Sequence, residues 1–257
     1  MKSFFIAIAM YSKLPAPMVE WDKKSLSWAL CFFPVVGVVI GLLMAAGWAL
    51  SAVLGFSPLL RGFVMLILPV LVSGGIHLDG FCDTCDALSS HQPRERKLEI
   101  LKDSHTGAFA IICCCLYLMA LLVFWREAEP APGVIGIAAL MPVLSRAMSG
   151  FFAASLPNAR GSGLLASFTQ PMDGEKARVI LLLWVFAAAL GMGLSDLWLA
   201  LWVLAGAFLS ALYYVTMSRR QFGGITGDLA GFFLQVAECA MVLFLVLGQK
   251  VGGLLWC

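Results

Sequence analysis

The sequence predicts an all-α, polytopic membrane helix bundle of about seven transmembrane helices, with residues 1–257 forming a single integral membrane domain. Three observations lead there. Hydrophobic residues make up 61% of the chain and charged residues 12%, against about half and about a quarter in a soluble domain. The apolar residues lie in continuous runs rather than alternating, which argues against a β-barrel. Thirteen of the seventeen lysines and arginines fall in one set of loops and three in the opposite set, the asymmetry that orients membrane proteins.

The elements follow in order. The N-terminal apolar run breaks at Lys13 and Pro15 without a small-residue cleavage site, so it reads as an interfacial or partly embedded helix and not as a cleaved signal peptide. Apolar segments long enough to cross a bilayer follow at about 28–54, 59–76, 107–125, 134–155, 179–194, 197–217 and 229–247. The fifth and sixth make a hairpin around Ser195 and Asp196. Arg94 to Asp103 reads as a charged surface helix, and the glycine-rich stretch from Asn158 to Gly163 as flexible. The basic loops place the N-terminus and the long polar loops in the cytoplasm. An odd number of spans then puts the C-terminus on the opposite side, the periplasm for a bacterial inner membrane. The eight cysteines do not form a disulfide framework: Cys113, Cys114 and Cys115 are consecutive in an apolar run. The C-x-x-C of Cys82 and Cys85 has no second pair to complete a zinc site.

All the chemistry-bearing residues fall on the cytoplasmic side. After the second segment comes H-L-D-G-F-C-D-T-C-D, residues 77–86, at the opening of a loop. On a helix, Asp79, Asp83 and Asp86 share one face. Carboxylates crowded in this way repel unless a cation sits among them, and Mg²⁺ favours carboxylate oxygens and bridges them to phosphates. Gly80 leaves room beside Asp79 for a phosphate. A carboxylate not held by metal could act as general base. Asp103 is a further acidic candidate, or else a helix cap. His77 is either a hydrogen-bonded interfacial residue or a ligand.

A second constellation is G-G-I-T-G-D, residues 223–228. Gly223, Gly224 and Gly227, with Thr226, would let backbone N–H groups approach a phosphate, or simply form a tight turn into the next helix. Asp228, Gly231, Gln235 and Glu238 then share one helix face. Glu238 lies on the order of 15 Å along that helix from Asp228 and must be paired or protonated at such depth. Arg146, inside the fourth segment, is its obvious counter-charge, or a phosphate ligand.

These residues resemble those of the cobalamin synthase (adenosylcobinamide-GDP ribazoletransferase) family. The matching pieces are Y-S-K-L-P-A-P (11–17), F-P-V-V-G-V-V-I-G (33–41), G-G-I-H-L-D-G-F-C-D-T-C-D (74–86), L-E-I-L-K-D-S (98–104), Ser145–Arg146 and G-G-I-T-G-D (223–228). The resemblance implies Mg²⁺-dependent transfer of the adenosylcobinamide phosphate moiety from adenosylcobinamide-GDP to α-ribazole or its 5′-phosphate, with release of GMP. It implies Asp79, Asp83 and Asp86 as metal ligands, Asp83 or Asp86 as the base, and Lys102, Asp103, Arg146, Asp228 and Glu238 among the substrate-binding positions. The expected partners are these substrates, the lipid bilayer and other enzymes of nucleotide-loop assembly, with no nucleic acid. A CDP-alcohol phosphotransferase is a rival reading, but its motif continues differently after D-G. A cation transporter is another, but transporters often show internal repeats and broken helices in corresponding positions, and neither is evident in the sequence.

Overall fold

The structure is a computed structural model that describes residues 2–103, 105–161, 164–169 and 173–255; Ser104 of the 98–104 motif and Ser162 and Gly163 of the glycine-rich stretch lie outside them. Among the described residues the chain is helical, with no strand. Helix α1 (Lys2–Tyr11) is followed by α2 (Lys23–Ala29), which Asp22 caps through the Ser25 N–H at 2.7 Å. A 3₁₀ turn, Leu30–Phe32, leads into α3 (Phe33–Val53). Then come α4 (Pro58–Ser73), α5 (Ile76–Ser89) and the short α6 (Arg94–Ile100). The rest is α7 (Ala108–Glu127), α8 (Pro132–Ser155), α9 (Leu164–Thr169), α10 (Gly174–Ser195), α11 (Leu197–Met217) and α12 (Gly227–Leu255). A π-helical turn, Ser218–Phe222, ends α11.

Six of these helices are long and apolar enough to cross a membrane, and the bent pair α4–α5 brings the number to seven. The segment at 59–76 is therefore not one straight span. Gly74 and Gly75 both adopt positive φ (65° and 79°), a backbone state that costs glycine nothing and other residues dearly. They end α4 and turn α5 through 94°. The acidic run is accordingly a helix, not the start of a loop.

Ties between helix ends define two faces. At one, the Lys13 N–H bonds the Val72 carbonyl at 2.8 Å, bringing the segment after α1 to the end of α4. At the other, the Arg61 guanidinium reaches the Ala128 carbonyl, Gln249 bonds Glu129, and the Trp198 indole bonds the Gly248 carbonyl at 2.9 Å. One contiguous apolar core joins α1, α3, α4, α5, α7, α8, α10, α11 and α12, while large side chains such as Leu42, Phe63, Ile111, Leu183 and Phe208 stay exposed on the outside. A belt of this kind is what lipid covers.

The contact that matters most for the polar centre is α5 on α12. A methyl group at Gly80 would lie 2.7 Å from the Asp228 carbonyl oxygen, and one at Gly231 would lie 3.0 Å from that of His77. Small residues let backbones approach in this way. Gly80 thus serves to admit α12, correcting the expectation that it makes room for phosphate. Phe81 stacks on Phe232 at 5.5 Å and 11° beside this contact.

Candidate active site

The α5–α12 contact sets Asp79 and Asp228 on one cavity of about 210 Å³, with His77, Thr226 and Gly227 also in its wall. Asp79 is exposed, and among the described residues its carboxylate has no hydrogen bond or ion pair. Asp83, one turn along α5, is half-buried and does not line the cavity. It faces the like charges of Asp79, Asp228 and Asp86 and the opposite charge of Arg160. Asp228 pairs with Arg160 at 3.4 Å and accepts from the Thr226 hydroxyl at 3.3 Å. Thr226 also accepts the Leu229 N–H, capping α12, whose N-terminus opens at the cavity. A helix start and an adjacent guanidinium together are a ready seat for a phosphate.

Arg160 was not among the candidates from sequence, because the glycines and serine around it read as flexible. The structure ties residues 157–161 down. Ile225 N–H bonds the Pro157 carbonyl and Ala159 N–H bonds the Ile225 carbonyl, both at 2.9 Å. Asn158 accepts the N–H groups of Arg160 and Gly161 at 2.9 and 3.1 Å. Asn158 and Arg160 therefore reach the cavity from a fixed turn. The signal in the sequence is an asparagine two residues before an arginine and three before a glycine, the pattern of a side-chain-closed turn.

Asp86 goes elsewhere. Its two oxygens accept the N–H groups of Gly107 (2.6 Å) and Ala110 (2.8 Å), so it caps α7 from a distant helix. The three aspartates of α5 do not converge as one ligand set, and among the described residues no three His, Cys, Asp or Glu side chains form a metal cluster by themselves. The reason is the competing demand of the α7 N-terminus, whose first N–H groups have no partner within the helix. Asp83 and Asp228 remain as hard oxygen donors with an excess of negative charge around them, and that fits Mg²⁺, which binds through one or two carboxylates plus phosphate and water. Replacing Asp86 by Ala should lower stability by about 1–2 kcal/mol, read from denaturant unfolding in detergent. Asp86→Asn, which keeps one acceptor oxygen, should fall between Ala and the native protein.

The other expected residues are spread more widely. Gly223 packs under the Arg94 guanidinium and Gly224 against the Pro157 carbonyl, so of the G-G-I-T-G-D run only Thr226, Gly227 and Asp228 line the cavity. Lys102 is exposed. Asp103 is exposed too and closes a turn onto His105, accepting its N–H at 3.0 Å; that bond and the imidazole hold its carboxyl below the usual carboxylate range. It is thus not the cap of α7. Lys97, expected on an exposed face, is 6% exposed and bonds Gln221. His77 is buried against Phe33, and its Nε2 has no partner among the described residues.

The acidic and polar face of α12 points inward, as its spacing implied. Gln235 accepts from the Tyr117 hydroxyl. Glu238 pairs with Arg146 at 2.7 Å and accepts from Ser145 at 2.7 Å. Arg146 also donates to the Pro142 carbonyl at 3.1 Å and lies 5.9 Å from the Phe33 ring. Neither Arg146 nor Glu238 lines the cavity at α5 and α12; both border a smaller space of about 30 Å³ deeper in the bundle.

Fold and site together define a class: a multi-pass membrane protein whose acidic cavity, backed by an arginine and a helix N-terminus, opens at one end of the bundle. Comparison with known proteins narrows it. The family model of cobalamin-5-phosphate synthase matches residues 3–246, and the chain belongs to that family, whose members are transferases of cobalamin synthesis. A protein of Lachnoclostridium phytofermentans named adenosylcobinamide-GDP ribazoletransferase is 38% identical over 251 residues, covering 98% of this chain and 95% of its own. A protein of the same name from Pseudomonas fluorescens is 37% identical over 248 residues, covering 95% and 98%. One from Clostridium botulinum is 30% identical over 241 residues, covering 92% and 94%. No solved structure matches.

Proposed function

We propose that the chain, acting as one integral unit, transfers the adenosylcobinamide phosphate moiety of adenosylcobinamide-GDP to α-ribazole or its 5′-phosphate. The relatives' shared name supports this reading. The observation that carries the chemistry is the meeting of Asp79, Asp228 and Arg160 on one cavity at the start of α12.

The residues divide the work as follows. Arg160, the α12 N-terminus and Thr226 hold diphosphate oxygens. Asp83 and Asp228 would hold Mg²⁺, which when bound neutralises charge on the diphosphate. Asp79, the cavity carboxylate without a partner, takes the proton from the ribazole hydroxyl. This moves Asp79 from ligand to base and relieves Asp86 of catalytic duty, because both Asp86 oxygens are already engaged. The hydroxyl oxygen bonds to the phosphorus on the cobinamide arm, the P–O bond to the guanylate breaks, and GMP leaves with the electron pair.

The same proposal sets the chain in the bacterial cytoplasmic membrane, with the cavity and N-terminus facing the cytoplasm and the C-terminus the periplasm; the basic loops support it. The test is GMP release from adenosylcobinamide-GDP by the protein in nanodiscs. Release that requires both α-ribazole and Mg²⁺ is the expected result. Release indifferent to the acceptor or to chelation would reject the reading.

A further inference from the structure

The cavity has two unlike walls. The wall from α5, the 157–161 turn and the start of α12 is polar. The lining from α1, the 3₁₀ turn, α3 and α9 presents Met10, Tyr11, Leu30, Phe33 and Phe168. Its aromatic members are held in place. The Tyr11 and Phe33 rings lie 4.2 Å apart, and Phe33 lies 5.6 Å from the His77 ring. Phe168 is 1% exposed and packs with Ile6 and Ala29. Nothing in the phosphate chemistry above needs this wall.

Size and polarity identify what it takes. Sites for drug-sized ligands run to about 300–1,000 Å³, so a space of about 210 Å³ holds a fragment. A corrin macrocycle does not enter it, whereas a planar bicyclic ring does. Three such rings occur in the reaction: the adenine and the guanine of the donor and the methylated benzimidazole of the acceptor. The adenine is tied through its ribose to the cobalt of the corrin, which stays outside. Guanine carries an amide and an amino group, and each would cost about 1–3 kcal/mol if left unpaired on an apolar wall. The benzimidazole has one free ring nitrogen and two methyl groups, so it loses little there and gains by burial. The acceptor's ribose hydroxyl must also reach the acidic residues, which a base seated on Phe33, 5.6 Å from the His77 ring of α5, allows.

We propose that the aromatic wall of Tyr11, Phe33 and Phe168 is the acceptor-base subsite and sets the preference for an apolar, methylated bicyclic base. The proposal rests on the transferase reading above. Its test reads binding separately from turnover: α-ribazole binding is followed by benzimidazole fluorescence with protein in nanodiscs, alongside KM for each substrate. Ala153→Leu and Leu165→Trp fill the cavity from α8 and α9. Each should weaken α-ribazole binding roughly tenfold or more and leave the KM for adenosylcobinamide-GDP unchanged. The riboside without methyl groups should bind the native protein roughly tenfold more weakly per methyl lost. Native-like α-ribazole binding by both folded variants, or a raised KM for the donor alone, would overturn the subsite and leave the transferase reading intact. Selective loss of ribazole binding in a protein whose native form releases no GMP would keep the subsite and reject the reaction.

Discussion

Asp79→Asn lowers ribazole-dependent GMP release by roughly 10²–10³-fold or more while the protein inserts and folds as before. The two halves of this expectation have separate causes. Asp79 is exposed at the cavity and its carboxylate has no partner among the described residues, so its loss removes no bond from the fold. It faces Asp83, Asp228 and their like charge, so an isosteric amide relieves repulsion. Stability should therefore be unchanged within about 0.5 kcal/mol or rise slightly, as is usual when a functional charge cluster is dismantled. Activity falls because an amide neither accepts the hydroxyl proton nor contributes charge at the diphosphate. Asp83→Asn should behave alike, with the loss appearing as a raised Mg²⁺ requirement. GMP release and thermal unfolding, measured on the same detergent-purified samples, check both halves. Near-native turnover of Asp79→Asn would reject its role.

The same residues show where reading the sequence succeeds and where it stops. Continuous apolar runs locate the spans, because burial in lipid demands them whatever the tertiary fold. The inward stripe of Asp228, Gly231, Gln235 and Glu238 is legible because helix periodicity alone aligns it. The bend at Gly74–Gly75 is written in the sequence, yet Ile76 continues the apolar run and masks it. Asp86 shares a face with Asp79 and Asp83, but which group it meets depends on where α7 begins in space, 21 residues on. Arg160 is hidden for a similar reason: its turn is fixed by pairing with Ile225, far along the chain. Local patterns thus yield the helices and their faces. Long-range pairing decides that two of the three α5 carboxylates stay near the cavity and the third becomes a cap.

Breaking the ion pair deep in the bundle is expected to produce the largest loss of stability. Arg146 is 2% exposed and Glu238 12%, with 2.7 Å between them. Removing one partner leaves a charge in a medium that cannot hydrate it, at a cost of about 3–5 kcal/mol. Arg146→Met should reach that range, since Glu238 would keep only the Ser145 hydroxyl. Glu238→Gln should cost less, because the amide oxygen can still accept from Arg146. The double variant Arg146→Met with Glu238→Gln should recover most of the loss, since a neutral pair needs no counter-charge. This cycle also separates the two roles that the sequence left open for Arg146. A guanidinium held by Glu238 and the Pro142 carbonyl, and absent from the wall of the upper cavity, is a bundle-fixing group. On that footing the double variant inserts, resists denaturant nearly as the native protein does, and still releases GMP. A double variant that is equally stable and yet inactive would instead place the Arg146–Glu238 pair in the transfer itself.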